Sequence, residues 1–183
     1  ARQAAETRAR VLKYKDHPAL LTWIIGNELN FAFENPRVYE AVNAISKMIQ
    51  EVDPNHPTTT TITSFDKKAL AAIETYAPDL DFISFQLYGD LINLPRYMAE
   101  ANFDKPYFVT EWGAVGHWEV QKTDWGAPIE QTSSEKADNY AKSYRQVLLP
   151  LPNKRSAIMF SCGDRSRKKP LPGTVCISIA AKK

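Results

Sequence analysis

Cysteine is nearly absent: the 183 residues hold two, Cys162 and Cys176, both beyond residue 153. A body without cysteine carries neither a disulfide framework nor a thiolate metal site. No spacing of His, Cys or carboxylates suggests a metal site of another kind, and no cofactor is implied. A glycine-rich phosphate loop is missing after every apolar run, which weakens a doubly wound nucleotide-binding reading. No apolar run approaches the roughly 20 residues of a membrane span, and no segment reads as a signal peptide. Charge of one sign is missing as well. With 23 basic and 21 acidic residues the net charge is +2, which makes no case for a nucleic-acid partner.

That balance conceals an asymmetry. Residues 1–153 carry 15 basic and 20 acidic side chains, whereas residues 154–183 carry 8 basic and one acidic. The composition is otherwise that of a globular protein, 44% hydrophobic and 24% charged, long enough for one domain with a proper core.

Residues 1–15 read as a helix that is already under way at Ala1, so the chain is expected to be part of something longer. Asp16-His17-Pro18 breaks it. Leu20 to Ile25 is a short apolar run closed by Gly26-Asn27, as a buried strand would be. Asn35-Pro36 opens a helix whose Val38, Val42, Ile45, Ile49 and Val52 recur at helical spacing as far as Asp53-Pro54. Thr58–Thr63 is β-branched and reads as strand. Ser64 or Asp66 can cap the helix that follows, to about Tyr76. Phe82–Phe85 is a third strand, Pro95–Ala101 a helix, and Pro106–Thr110 a fourth strand. A polar and aromatic segment, Gly113–Thr132, leads to a helix from Ser133 to about Leu149. Strand then helix, four times, is the pattern of parallel βαβ units, so the fold class is α/β. Periodicity alone leaves a doubly wound sheet and a (β/α) barrel both open.

The strand ends carry the chemistry. The first strand ends Gly26-Asn27-Glu28 and the fourth Thr110-Glu111-Trp112-Gly113: two carboxylates at the same topological level, where barrel enzymes place their catalytic groups. Two opposed carboxyls are what a retaining glycosidase needs, one to give a proton and one to attack. His17 and His56 read as turn or capping residues, and Met48 and Met98 as helix core.

Pro18-Ala19-Leu20-Leu21-Thr22-Trp23-Ile24-Ile25-Gly26-Asn27-Glu28-Leu29-Asn30 resembles the strand-four motif of clan A glycoside hydrolases, especially the catalytic barrel of family 2. Pro106-Tyr107-Phe108-Val109-Thr110-Glu111-Trp112-Gly113 resembles the clan's strand-seven motif. The resemblance implies a partial (β/α)8 TIM barrel over residues 1–153, with units resembling strands four to seven. It implies a retaining β-glycosidase acting on a carbohydrate substrate, with Glu28 as general acid/base, Glu111 as nucleophile and Asn27 bonded to the sugar 2-hydroxyl. Phe85-Gln86-Leu87-Tyr88-Gly89 matches a further motif, in which Tyr88 orients the nucleophile. A phenol donating to Glu111 would help hold that carboxyl ionised, while apolar surroundings and the second carboxylate would keep Glu28 protonated. Trp112, His117 and Trp118 are candidate sugar-binding residues, with Trp125 a weaker one. Which sugar, endo or exo action, oligomeric state and compartment stay open, a secreted or periplasmic parent being one option.

Strands one to three of such a barrel have no counterpart here. An inactive barrel fragment that at most binds carbohydrate weakly is therefore the alternative expectation. Residues 154–183 read as a basic, irregular tail. Codons can be chosen for Met159–Cys176 whose neighbouring frame encodes an apolar run closed by Trp-Gly, as the family's eighth strand is. A frameshift near residues 153–157 is the expectation this raises.

Overall fold

Parallel strands and covering helices alternate along the chain in the computed structural model, which describes residues 2–31, 34–150, 156–158 and 177–179. The order is α1 (Arg2–Tyr14), β1 (Trp23–Ile25), α2 (Val38–Val52), β2 (Thr58–Thr63), α3 (Lys67–Tyr76), β3 (Phe82–Tyr88), α4 (Leu94–Glu100), β4 (Tyr107–Gly113) and α5 (Ser133–Ser143). Two three-residue strands, β5 (Ser156–Ile158) and β6 (Ile177–Ile179), complete a parallel sheet of order β5-β4-β3-β2-β1-β6. β5 lies beside β4 and β6 beside β1.

The tail expected to be irregular thus contributes two strand segments. Their Ser-Ala-Ile and Ile-Ser-Ile sequences supply backbone partners to β4 and β1, which would otherwise end the sheet with unpaired N–H and C=O groups. The remainder of the 154–183 reading, frameshift included, falls outside the described residues.

The helix signals hold with local adjustments. Asn35 does not cap α2: its Oδ1 accepts from the backbone N–H of Arg37, and the first turn is wound with i→i+3 bonds, so α2 begins at Val38. Asp66, not Ser64, caps α3, accepting from the N–H groups of Lys68 and Ala69. α5 begins at Ser133 as expected, capped by Thr132 in a reciprocal capping box with Glu135. That helix passes into a π-helical turn at Tyr144–Leu148, which buries Val147 and Leu148. β1 is shorter than the apolar run suggests, because Leu21 is half exposed and Thr22 turns its hydroxyl to the carbonyl of Pro57.

Register divides the sheet into two faces. Trp23, Ile25, Ile62, Ile83, Phe85, Leu87, Tyr107 and Val109 share one alternation class and join residues of the helices, among them Val11, Tyr39, Val42, Ile49, Ile73 and Leu94, in one core cluster. The described helices therefore pack on one face, with Met48 and Met98 against the same core. The opposite face carries Ile24, Thr59, Thr61, Phe82, Ser84, Gln86 and Phe108, a largely polar row linked laterally, as where Thr59 Oγ1 donates to the carbonyl of Phe82. The carboxyl ends of β1–β4 lie along one edge of this face.

Below the sheet a buried polar cluster ties β1 to the α2–β2 turn. Asp53, 2% exposed, accepts hydrogen bonds from Trp23 Nε1 at 2.8 Å, from His56 Nδ1 at 2.9 Å and from the N–H of Asn55. Burial alone would raise the Asp53 pKa. The bonds from Trp23, His56 and Asn55 outweigh it and hold the carboxyl below its ordinary value. His56 is thus a turn-closing residue, as is His17, whose Nδ1 accepts from the N–H of Ala19.

Candidate active site

A carboxylate after β1 needs a chain that turns sharply, and Gly26-Asn27-Glu28 provides it. Gly26 has φ +78°, where a side chain is strained, and a Cβ there would sit 2.5 Å from Leu29 Cδ1. Glu28 itself has φ +48°, uncommon for a residue with a Cβ. The conformation is held by β2. The Glu28 N–H donates to the carbonyl of Thr61 at 3.1 Å and to its Oγ1 at 3.0 Å. Asn30, two residues on and buried, donates to the carbonyl of Thr63 and to Asp66, and accepts from the Thr63 N–H. One aspartate therefore caps α3 and anchors the loop that carries Glu28.

Glu111 reaches the site by a break in register. Phe85 pairs with Val109, but Gln86 pairs with Glu111, so Thr110 is an extra residue in β4. Counting alternately from Val109, residue 111 would face the helices. The bulge turns it to the opposite, largely polar face, beside Gln86 and Tyr88. The Tyr88 hydroxyl donates to Glu111 Oε2 at 2.9 Å, which fixes the carboxylate and leaves Oε1 as its other oxygen. The same bulge sends Trp112 the other way. It pairs with Leu87, is 3% exposed, joins the core and stacks on Tyr140 at 4.0 Å. Trp112, expected among the sugar-binding aromatics, is instead a core residue.

Trp118 is 57% exposed and meets Tyr88 edge-to-face at 5.5 Å, one ring removed from Glu111. Its indole occupies the space that a Cβ on Gly116 would need. His117 packs edge-on against Trp118 and is exposed. Trp125 stands apart. It is 81% exposed at the tip of a small turn closed by the Thr123–Ala127 backbone bond. Asn27, also exposed, turns its Oδ1 to Thr61 Oγ1 at 3.2 Å and Gln86 Nε2 at 2.9 Å.

The four strand ends thus bring Asn27 and Glu28, Thr61, Gln86 and Tyr88, and Glu111 into one continuous row of contacts. Thr61 and Gln86 lie outside the sequence motifs' assigned residues. Their contacts depend on cross-strand register, for which the sequence carries no local signal. Chemically the row offers two carboxyl groups, two amides, a hydroxyl and a phenol beside exposed aromatic rings. Among the described residues no group of three or more His, Cys, Asp or Glu could hold a metal ion, and no helix is long and apolar enough to cross a membrane.

No family model matches the chain, and no curated protein sequence matches it. Solved structures do. The chain is similar to β-glucuronidase 2 from Bacteroides uniformis covalently bound to cyclophellitol-6-carboxylate aziridine, with TM-score 0.62, 17% identity, 87% of this chain and 21% of that one. It is similar to a β-glucuronidase from Ruminococcus gnavus in complex with D-glucuronic acid, with TM-score 0.59, 17% identity, 87% of this chain and 28% of that one. A glycosyl hydrolase family 2 member from Bacteroides cellulosilyticus matches with TM-score 0.52, 15% identity, 86% of this chain and 17% of that one. The chain spans little more than a quarter of these proteins at most. At such identities the likeness is one of fold: this α/β chain shares the architecture of part of family 2 glycoside hydrolases.

Proposed function

We propose that the chain is the carboxyl-terminal part of the catalytic barrel of a retaining β-glycosidase. In this reading residues 1–153 are units four to seven of a (β/α)8 barrel. The observation that carries the reading is the Tyr88–Glu111 hydrogen bond at the ends of β3 and β4, on the same sheet edge as Glu28. Among the described residues the helices cover one face and the other is largely polar, which supports a barrel segment over a doubly wound sheet with helices on both faces.

The reaction would be a double displacement. Glu111, oriented by Tyr88, attacks the anomeric carbon. The bond to the leaving oxygen breaks as Glu28 gives that oxygen its proton. Glu28 then takes a proton from water, whose oxygen displaces Glu111 and restores the starting anomer. Asn27 would hold the sugar 2-hydroxyl, and Trp118 with His117 would line the sugar's apolar face. The complex of the Ruminococcus gnavus protein with D-glucuronic acid supports this substrate class.

The test is incubation of the full chain with 2,4-dinitrophenyl 2-deoxy-2-fluoro-β-D-glucoside, -galactoside and -glucuronide, followed by intact and peptide mass spectrometry. One glycosyl group on Glu111 is expected. A label on another residue, or an inverted anomer from the non-fluorinated substrates, would overturn the assignment. A second reading, an inactive barrel segment that at most binds carbohydrate weakly, is favoured by the small share of the similar chains that this one spans. Absence of both label and turnover would select it.

A further inference from the structure

We propose that Gln86 is the positioning residue that sets which way the Asn27 amide faces, and so makes the site select for a hydroxyl oxygen next to the reacting carbon. The ligand half of this proposal rests on the glycosidase reading above.

A carboxamide has nearly the same shape in its two orientations but opposite chemistry, acceptor on one side and donor on the other. Asn27 is exposed, and every hydrogen bond to its side chain arrives at Oδ1, from Thr61 and Gln86. Thr61 has one hydroxyl proton. Its Oγ1 already accepts the N–H of Glu28, so the proton is available for Asn27 Oδ1. Gln86, 3% exposed, delivers its Nε2 to the same oxygen at 2.9 Å. With two donors fixing the oxygen inward, Nδ2 is the part of the amide left over. Among the described residues it has no partner.

The arrangement carries a penalty. Gln86 Oε1 is buried with no hydrogen-bond partner among the described residues. Turning both amides over would let Asn27 Nδ2 donate to Gln86 Oε1, but it would put the Gln86 NH₂ in the buried place of Oε1, where two N–H groups would need acceptors in turn. The retained orientation instead presents a donor beside Glu28. Gln86 is also the register partner of Glu111. One residue of β3 therefore bonds the amide that would grip the sugar and lies in register with the residue whose carboxylate would attack it. An N–H donor in that position takes a ligand oxygen with a free lone pair, the chemistry of a sugar hydroxyl adjacent to the anomeric carbon.

The test uses the full chain labelled with ¹⁵N-asparagine, its Asn27 side-chain signals identified by their loss in Asn27→Asp. Gln86→Met keeps the volume and removes the donor. Gln86→Glu presents only acceptors and should reverse the amide. Thr61→Val removes the other donor without touching Gln86. The Asn27 NH₂ signals are expected to shift in all three variants, with a downfield proton shift in Gln86→Glu as that NH₂ becomes bonded. Unchanged Asn27 signals in the folded variants would overturn the proposal, and Thr61→Val keeps it decidable if a Gln86 variant does not fold. In parallel, kcat/KM is measured for 4-nitrophenyl β-D-glucoside, -galactoside and -glucuronide and for their 2-deoxy counterparts. The preference for the hydroxylated member should fall about tenfold in Gln86→Met, the loss of one aligned hydrogen bond. Shifted signals with an unaltered preference would overturn the ligand half. A wild-type chain that turns over none of the pairs would remove the glycosidase reading and that half with it, while the spectra still decide the Gln86–Asn27 contact.

Discussion

Replacing Asp53 by Asn removes a single charge at the point where β1, the α2–β2 turn and His56 meet. The carboxylate accepts from Trp23 Nε1, from His56 and from the backbone of Asn55 while 2% exposed. Asparagine can accept from Trp23 and His56 through the oxygen in the place of Oδ2, now uncharged, but its NH₂ then confronts the Asn55 N–H, a donor. Hydrogen bonds to a charged acceptor contribute about 1.5–3 kcal/mol, so Asp53→Asn should lose about 3 kcal/mol at neutral pH. With a denaturant slope of about 2 kcal/mol per M, that is a midpoint shift of about 1.5 M urea. Asp53→Ala also leaves the Trp23 indole N–H, fully buried, without a partner and should lose about 3–5 kcal/mol.

The pH dependence carries a definite sign. Folding holds the Asp53 pKa below 3.8. Its contribution is therefore complete above 3.8, the unfolded value, and is lost as pH falls through the lower folded-state value. Asp79, held down by Asn43 and Lys47, and Glu135, held down by Thr132, titrate in the same direction. The informative quantity is therefore the difference between wild type and Asp53→Asn, followed by tryptophan fluorescence in urea from pH 7 to pH 2.5 at constant ionic strength. The gap should be widest at neutral pH and close below 3.8. Parallel curves across the range, or a gap under about 0.5 kcal/mol at pH 7, would show that the cluster does not act as described.

Other outcomes follow from single contacts. Thr60 is fully buried on the helix-covered face with its hydroxyl unpartnered among the described residues, so Thr60→Val should raise stability by about 1 kcal/mol in the same urea titration. Tyr88→Phe deletes the bond to Glu111 and should lower kcat by about tenfold to a hundredfold on an aryl β-glycoside, leaving the urea midpoint nearly unmoved. Glu111→Ala should abolish that turnover, and azide should restore part of it as a glycosyl azide seen by mass spectrometry.

Much of the layout was legible in residue order, and the exceptions have a common cause. Thr58–Thr63 reads as a strand because four of its first five positions repeat one β-branched residue, and the strand has those bounds. Asp66 announced its helix by residue type. The alignment of Asn27-Glu28 with Glu111 followed from counting strand–helix units. What escaped depends on pairing between strands. The bulge at Thr110 exists only relative to β3, so a reading of β4 alone could not tell that Trp112 turns to the core while Glu111 turns away. Thr61 and Gln86 touch Asn27 across 34 and 59 positions of chain, with no short-range signature to mark them.

The extra residue in β4 also uncouples the two halves of that strand. Upstream, Tyr107 and Val109 keep step with the helices; downstream, the phase starts afresh at Glu111. Glu111 and the buried Trp112 share that new phase, so turning the acid toward the helices would draw the indole out of the apolar layer. Loss of the bulge with the sequence unchanged would do what no conservative substitution does. It would leave every residue in place and exchange the faces of Glu111 and Trp112, burying a charge and exposing an indole. A single unpaired residue thus acts as the phase reference for everything beyond it on the strand.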